Sequence, residues 1–154
     1  MSLPHPSDSL AQRDAERFIV AAVADDVGVS LVTTRVDLGG GVRAEFDGAS
    51  EDRSVVVEAF AHVGALRGAQ PKKLATDAFK LTWAGRRVGA SRLIIAVLDE
   101  RVEAYLRRPR AWLTAALLDA GVEVLRVDVD PAVLSRVEAA QRAQFMSGVS
   151  GDDG

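Results

Sequence analysis

The sequence of 154 residues contains no cysteine and only two histidines, His5 and His62. The absence of cysteine excludes disulfide bonds, thiol nucleophiles and cysteine-ligated zinc or iron–sulfur centres. No apolar run is long enough to cross a bilayer, and the first twelve residues lack the basic and apolar regions of a signal peptide. We therefore expect a cytoplasmic protein that does not associate with membranes.

Lysine is also scarce, and its distribution is uneven. There are three lysines against sixteen arginines, and all three fall within nine residues, at Lys72, Lys73 and Lys80. A coding bias towards arginine explains the shortage but not the clustering. Lysine has a pKa that proteins can tune, whereas arginine carries a fixed charge. Lys72 and Lys73 also follow Pro71 at the start of a predicted helix, where the helix dipole favours acids. This broken local rule indicates a functional site.

Basic charge is limited as well, since the net charge is −3 and the pI is about 5.4. The chain lacks the bulk basicity that lets many proteins bind nucleic acid indiscriminately, so any nucleic-acid site must be local.

The pattern of apolar and turn-forming residues predicts a single α/β domain at residues 9–146, with an N-terminal extension at 1–8 and a disordered tail at 147–154. A mixed central sheet flanked by helices accommodates this order of elements. The predicted elements are a helix at 9–25, strands at 29–37, 42–47 and 54–60, a helix at 71–84, a strand at 92–98, helical segments at 99–108 and 109–120, a strand at 122–129 and a helix at 131–146.

Two acids occupy notable places in the predicted sheet. Glu58 interrupts an apolar strand, where a carboxylate must be paired, protonated or metal-bound. Asp47 ends the preceding strand and is predicted to lie roughly opposite Glu58. Two facing carboxylates repel each other unless a cation lies between them, and oxygen ligands suit Mg²⁺ or Mn²⁺. The alternatives are a turn-forming Asp47 and a Glu58 held by backbone groups or by an arginine.

In this order of elements and in these two acids, the sequence resembles the PD-(D/E)XK, or restriction-endonuclease-like, nucleases. The resemblance covers residues 9–129 and implies that Asp47 and Glu58 are the metal-binding acids. Phe46 stands where many members have proline, and Phe60 stands where the family has its lysine. Some members supply that lysine from the following helix.

The lysine cluster offers such a replacement. Lys73, Asp77 and Lys80 form one polar stripe on the predicted helix, whereas Lys72 falls on the face of Phe79 and Trp83. Lys80 or Lys73 would then orient the attacking water and stabilise the charge that develops on the phosphate. The alternative is a solvated helix face held by an i,i+4 ion pair.

Several other residues are accessory candidates. Glu16 resembles a helix acid that some family members use, and His62 shares the strand parity of Glu58 and is a candidate metal ligand or base. Trp112 is expected in the core. The candidate phosphate contacts are Arg86, Arg87, Arg107, Arg108 and Arg110.

The sequence thus favours a small nuclease dependent on Mg²⁺ or Mn²⁺ that acts on nucleic acid, with a homodimer as a further possibility. The alternative is a catalytically inactive domain of the same fold that serves as a binding or dimerisation module. Phe79 and Trp83 lie away from the buried stripe of the predicted helix and would suit stacking on bases or packing against a partner subunit, with packing under the later helices as the alternative.

Overall fold

A computed structural model describes residues 6–149 of the chain, with side chains for 10–146. Within these residues, five strands form one mixed sheet in the order β1-β2-β3-β4-β5. The elements are α1 (Pro6–Val27), β1 (Val32–Asp37), β2 (Arg43–Ala49), β3 (Val55–Phe60), α2 (Gln70–Lys80), β4 (Arg92–Val97), α3 (Glu100–Leu106), α4 (Trp112–Ala120), β5 (Val122–Arg126) and α5 (Pro131–Val149).

The sheet changes from antiparallel to parallel at its central strand. β1, β2 and β3 form an antiparallel meander, and β4 and β5 then run parallel to β3. All six residues of β3 are buried, as expected for a strand covered on both faces. The predicted α/β architecture and order of elements are therefore confirmed.

Helices cover both faces of the sheet. On one face, α1 packs through Ile19 and Val23 against Val57 of β3, and α5 packs beside α1. On the other face, α2, α3 and α4 cover the larger core, which contains Leu74 and Phe60. Within residues 6–149, no helix is both long and apolar enough to cross a bilayer.

Strand β2 contains a bulge close to Asp47. Val32 of β1 pairs with Ala49, but Thr34 pairs with Phe46, so β2 holds one more residue than β1 between these pairs. A bulge locally disrupts the ladder and re-aims side chains, and bulges are frequent beside active sites. Asp47 therefore lies where the strand leaves regular geometry.

The glycine after Asp47 lets α1 pack closely on β2. A Cβ atom at Gly48 would lie 2.7 Å from Cγ1 of Val20 on α1, closer than such atoms approach one another. The predicted end of this strand at residue 47 is wrong, because Gly48 continues the strand under the helix to Ala49 instead of forming a turn.

Two further expectations also differ from the structure. Trp112 is not a core residue: it is 75% exposed, while Leu113 and Leu117 on the same helix are buried. The predicted helix at 71–84 is regular only to Lys80, and residues Leu81–Gly85 continue it as a π-helical turn. The predicted N-terminal extension and disordered tail lie largely outside the described residues.

Candidate active site

The side chain of Asp47 takes the place of a main-chain hydrogen-bond acceptor between β2 and β3. The paired residues of these strands include Gly48 with Val57. One residue further along, Oδ2 of Asp47 accepts a hydrogen bond of 2.8 Å from the backbone N–H of Ala59. This bond satisfies a buried strand donor and fixes the Asp47 carboxylate beside Glu58, the next residue along β3.

Glu58 is a buried carboxyl group in contact with both an acid and a base. The residue is 3% exposed, and its carboxyl group lies within interaction range of the Asp47 carboxylate. Burial, followed by the charge and hydrogen bond of Asp47, raises the pKa of Glu58 to about 9. Nζ of Lys80 forms an ion pair with Oε1 of Glu58 at 2.5 Å. At neutral pH, Glu58 therefore keeps its proton.

Lys80 reaches this pair from the last turn of α2. Its ammonium group also donates a hydrogen bond of 2.9 Å to the backbone carbonyl of Glu45 on β2. Burial lowers the pKa of Lys80, but the contact with Glu58 and the charge of Glu58 raise it by more than burial lowers it. The pKa of Lys80 therefore lies above its ordinary value, and Lys80 keeps a positive charge against Glu58.

Lys73 lies next to Phe60, which stands at the position where the resemblance implies a lysine. Its Nζ is 5.5 Å from the ring centroid of Phe60 and 3.3 Å from Oδ2 of Asp77. Phe60 is buried in the core. The two candidate lysines therefore lie in different places: Lys80 contacts the acid at residue 58, and Lys73 lies above the aromatic ring at residue 60.

Two more acids lie within electrostatic reach of this group. Burial, followed by the charge of Asp47, raises the pKa of Glu16 on α1 to about 7. Burial also raises the pKa of Asp77, against the lowering effect of Lys73. The structure thus brings together four acids and two lysines, and this group would carry an excess of two negative charges if every member were ionised.

A cleft of about 550 Å³ opens beside Asp47 between α1 and the edge of the sheet. Glu16 lines it together with two exposed arginines, Arg13 and Arg17. The sequence interpretation missed both arginines. Their i,i+4 spacing around Glu16 is a signal that could have identified them, because residues at this spacing share one helix face.

His62 is held by two hydrogen bonds. Its Nε2 lies 3.1 Å from the carbonyl oxygen of Ala65, and its Nδ1 lies 3.0 Å from Nε2 of Gln70. A carbonyl only accepts, so Nε2 carries the hydrogen and Nδ1 accepts from the amide. Both ring nitrogens are therefore engaged in holding the loop after β3, and we leave His62 out of the proposed site.

The five arginines predicted to contact phosphate are all exposed, and none lines the cleft beside Asp47. Four donate hydrogen bonds to backbone carbonyls. The pairs are Arg86 with Ala120, Arg87 with Leu38, Arg107 with Val124 and Arg108 with Tyr105, and the fifth residue is Arg110.

The donor set suits a hard divalent cation. Among residues with described side chains, no three histidine, aspartate or glutamate side chains converge as a ready-made metal site. Mg²⁺ is commonly bound through one or two carboxylates and keeps several waters. Asp47 and Glu58 fit that mode once Glu58 loses its proton, because a cation would then relieve the repulsion between the two neighbouring carboxylates.

Comparison of the chain with protein-family models, curated proteins and solved structures found no match.

The bond from Ala59 N–H to Asp47 predicts different effects for two substitutions. Asp47→Ala leaves a buried donor unsatisfied and should lower the free energy of unfolding by about 1–3 kcal/mol. Asp47→Asn keeps an acceptor oxygen and should retain most of the wild-type stability. Urea denaturation at pH 7 measures both values. Equal losses in the two variants would show that this hydrogen bond contributes little.

The raised pKa of Glu58 predicts a pH-dependent difference between the wild type and Glu58→Gln. Between pH 4.5 and about 9 the folded protein keeps the Glu58 proton that the unfolded chain releases. The resulting stabilisation is complete below pH 4.5 and is lost as pH rises. Wild-type stability should therefore fall relative to Glu58→Gln by up to ~1.4 kcal/mol per pH unit. Denaturation curves at pH 5 to 9 measure the difference, and parallel pH profiles would contradict the assignment.

Proposed function

We propose that this protein hydrolyses phosphodiester bonds of nucleic acid with Mg²⁺ or Mn²⁺ held by Asp47 and Glu58, as a divergent restriction-endonuclease-like nuclease. The observation that carries the proposal is the placement of Asp47, bonded to Ala59 N–H, beside the buried Glu58, which is paired with Lys80 where β2 departs from β3.

The arrangement of the sheet supports the resemblance. An N-terminal helix, an antiparallel meander, a helix and a strand parallel to the third strand follow one another in the order that the resemblance implies. The two acids lie on neighbouring strands of that meander, and Lys80 comes from the helix that follows it.

A divalent cation bound by Asp47 and Glu58 would polarise the phosphate and lower the pKa of a bound water. The residues of the chain would supply the remaining functions. Lys80 keeps its positive charge in a partly buried position, where it is suited to stabilise the negative charge that develops on the phosphate oxygens. Glu58 must release its proton for both carboxylates to bind the cation.

Glu16 is the group best suited to transfer protons in this site. With a pKa of about 7, its carboxyl group exchanges its proton near neutral pH, as an acid–base catalyst requires. Its place in the cleft with Arg13 and Arg17 adds a contact surface for phosphate next to Asp47. The chain's net negative charge makes such a local basic surface necessary for nucleic-acid binding.

Phe60 supports a second candidate function, that of a catalytically inactive domain of the same fold. With an aromatic core residue in place of the strand lysine and with Lys80 already paired with Glu58, the same fold would also serve as an inactive binding or dimerisation module. The two functions differ in whether the carboxyl pair binds a divalent cation.

Metal binding and cleavage test the proposed activity together. Mn²⁺ binding is measured by electron paramagnetic resonance, and cleavage by incubation of labelled DNA and RNA with Mg²⁺ or Mn²⁺. Asp47→Asn and Glu58→Gln should each lose Mn²⁺ binding and at least about 100-fold of the cleavage rate, and Lys80→Met should lose a similar factor of rate but keep Mn²⁺.

Asp119→Asn is the matched control, because Asp119 is an exposed acid on α4. It should bind Mn²⁺ and cleave as the wild type does. Cleavage that survives in both Asp47→Asn and Glu58→Gln would contradict the metal assignment. A well-folded wild type that binds no Mn²⁺ would favour the inactive module.

A further inference from the structure

Two aromatic side chains project from α2 and the turn after it into solvent. Phe79 is 75% exposed and Trp83 is 45% exposed, and they are four residues apart on one helical face. The chain has eight aromatic residues other than histidine: five Phe, two Trp and one Tyr. Phe79 and Trp83 are therefore a quarter of its aromatic side chains, exposed side by side. Packing of this pair under the later helices, which would explain it structurally, is not observed.

The surroundings of these rings are basic. Phe79, Thr82, Trp83, Arg86 and Arg87 line a shallow pocket of about 410 Å³, and neither an acid nor an aliphatic side chain is among them. Cζ of Arg87 lies 5.5 Å from the ring centroid of Trp83. The pocket therefore combines flat π surfaces with positive charge, in a protein whose net charge is −3.

We propose that this pocket, the Phe79–Trp83 pocket, binds unpaired nucleotides of the substrate by stacking bases on the two rings and placing phosphates against the two arginines. Base–aromatic stacking with a positively charged groove is the general mode of single-strand binding. The inference rests on the proposed function and adds a substrate class to it, namely nucleic acid with an unpaired segment. Phe79 on the pocket wall is the neighbour in sequence of Lys80, which contacts Glu58 of the proposed site, but Lys80 itself does not line the pocket.

Charge favours nucleic acid over a protein as the occupant. The two arginines suit a polyanion, and the absence of aliphatic side chains leaves no apolar surface other than the ring faces. Self-association through Phe79 is the competing outcome of the experiment.

Intrinsic fluorescence provides a direct test. The chain has two tryptophans, so Trp112→Phe leaves Trp83 as the sole indole. Titration of this variant with oligothymidylate in EDTA should quench the Trp83 emission, and the affinity should fall as the salt concentration rises. Phe79→Ala in the same background should raise the Kd by about 5- to 150-fold.

Leu118→Ala is the matched control, because Leu118 is 74% exposed on α4 and lies outside the pocket. It should leave the Kd unchanged. Circular dichroism should show the same fold in every variant, since the substituted side chains are on the surface.

The proposed function is tested separately with bis(4-nitrophenyl) phosphate, which is too small to need the pocket. Hydrolysis that persists in Phe79→Ala while oligothymidylate affinity falls supports the inference. Unchanged Trp83 emission at saturating oligothymidylate, or equal Kd values in Phe79→Ala and the control, would overturn it while leaving the proposed activity in place. Concentration-dependent self-association that Phe79→Ala abolishes would identify a protein interface instead and would also overturn it.

Discussion

The contact between Asp47 and the strand that follows it determines the geometry of the candidate site. Oδ2 of Asp47 accepts the N–H of Ala59 at 2.8 Å, in place of a main-chain acceptor. Because a side-chain oxygen accepts this bond, β2 can separate from β3 without leaving a buried donor unsatisfied. The same bond places a carboxylate beside the buried Glu58. The bulge in β2 and the close packing of Gly48 on Val20 also determine the position of Asp47, because both fix β2 at the place where it separates from β3.

The electrostatics of the site follow from that placement. Burial and the neighbouring Asp47 raise the pKa of Glu58, so Glu58 keeps its proton at pH values at which an ordinary carboxyl group has lost it. Lys80 stays charged against Glu58. Together with Glu16 and Asp77, the group has more acids than bases, a balance that a divalent cation would correct. A cluster of acids with raised pKa values around a partly buried lysine, Lys80, is costly for stability, and such clusters are frequent at functional sites.

The sequence was sufficient for the parts of the structure that depend on regular patterns. The pattern of apolar and turn-forming residues predicted the first two strands, which pair as β1 and β2, and the apolar strand interrupted by Glu58, which is the central strand. The opposition of Asp47 and Glu58 followed from strand pairing. What sequence patterns did not reveal depends on tertiary packing: the bulge at Asp47, the π-helical turn at Leu81–Gly85, the exposure of Trp112 and the approach of Arg13 and Arg17 to the cleft.

The central claim is that Glu58, beside Asp47, holds a proton that a divalent cation replaces. The most direct test is calorimetric titration of Mn²⁺ at pH 7 in buffers of different ionisation enthalpy, which counts the protons released on binding. The account predicts release of about one proton per bound ion in the wild type, and an affinity that increases with pH. Mn²⁺ binding without proton release, or binding that Glu58→Gln leaves intact, would contradict it.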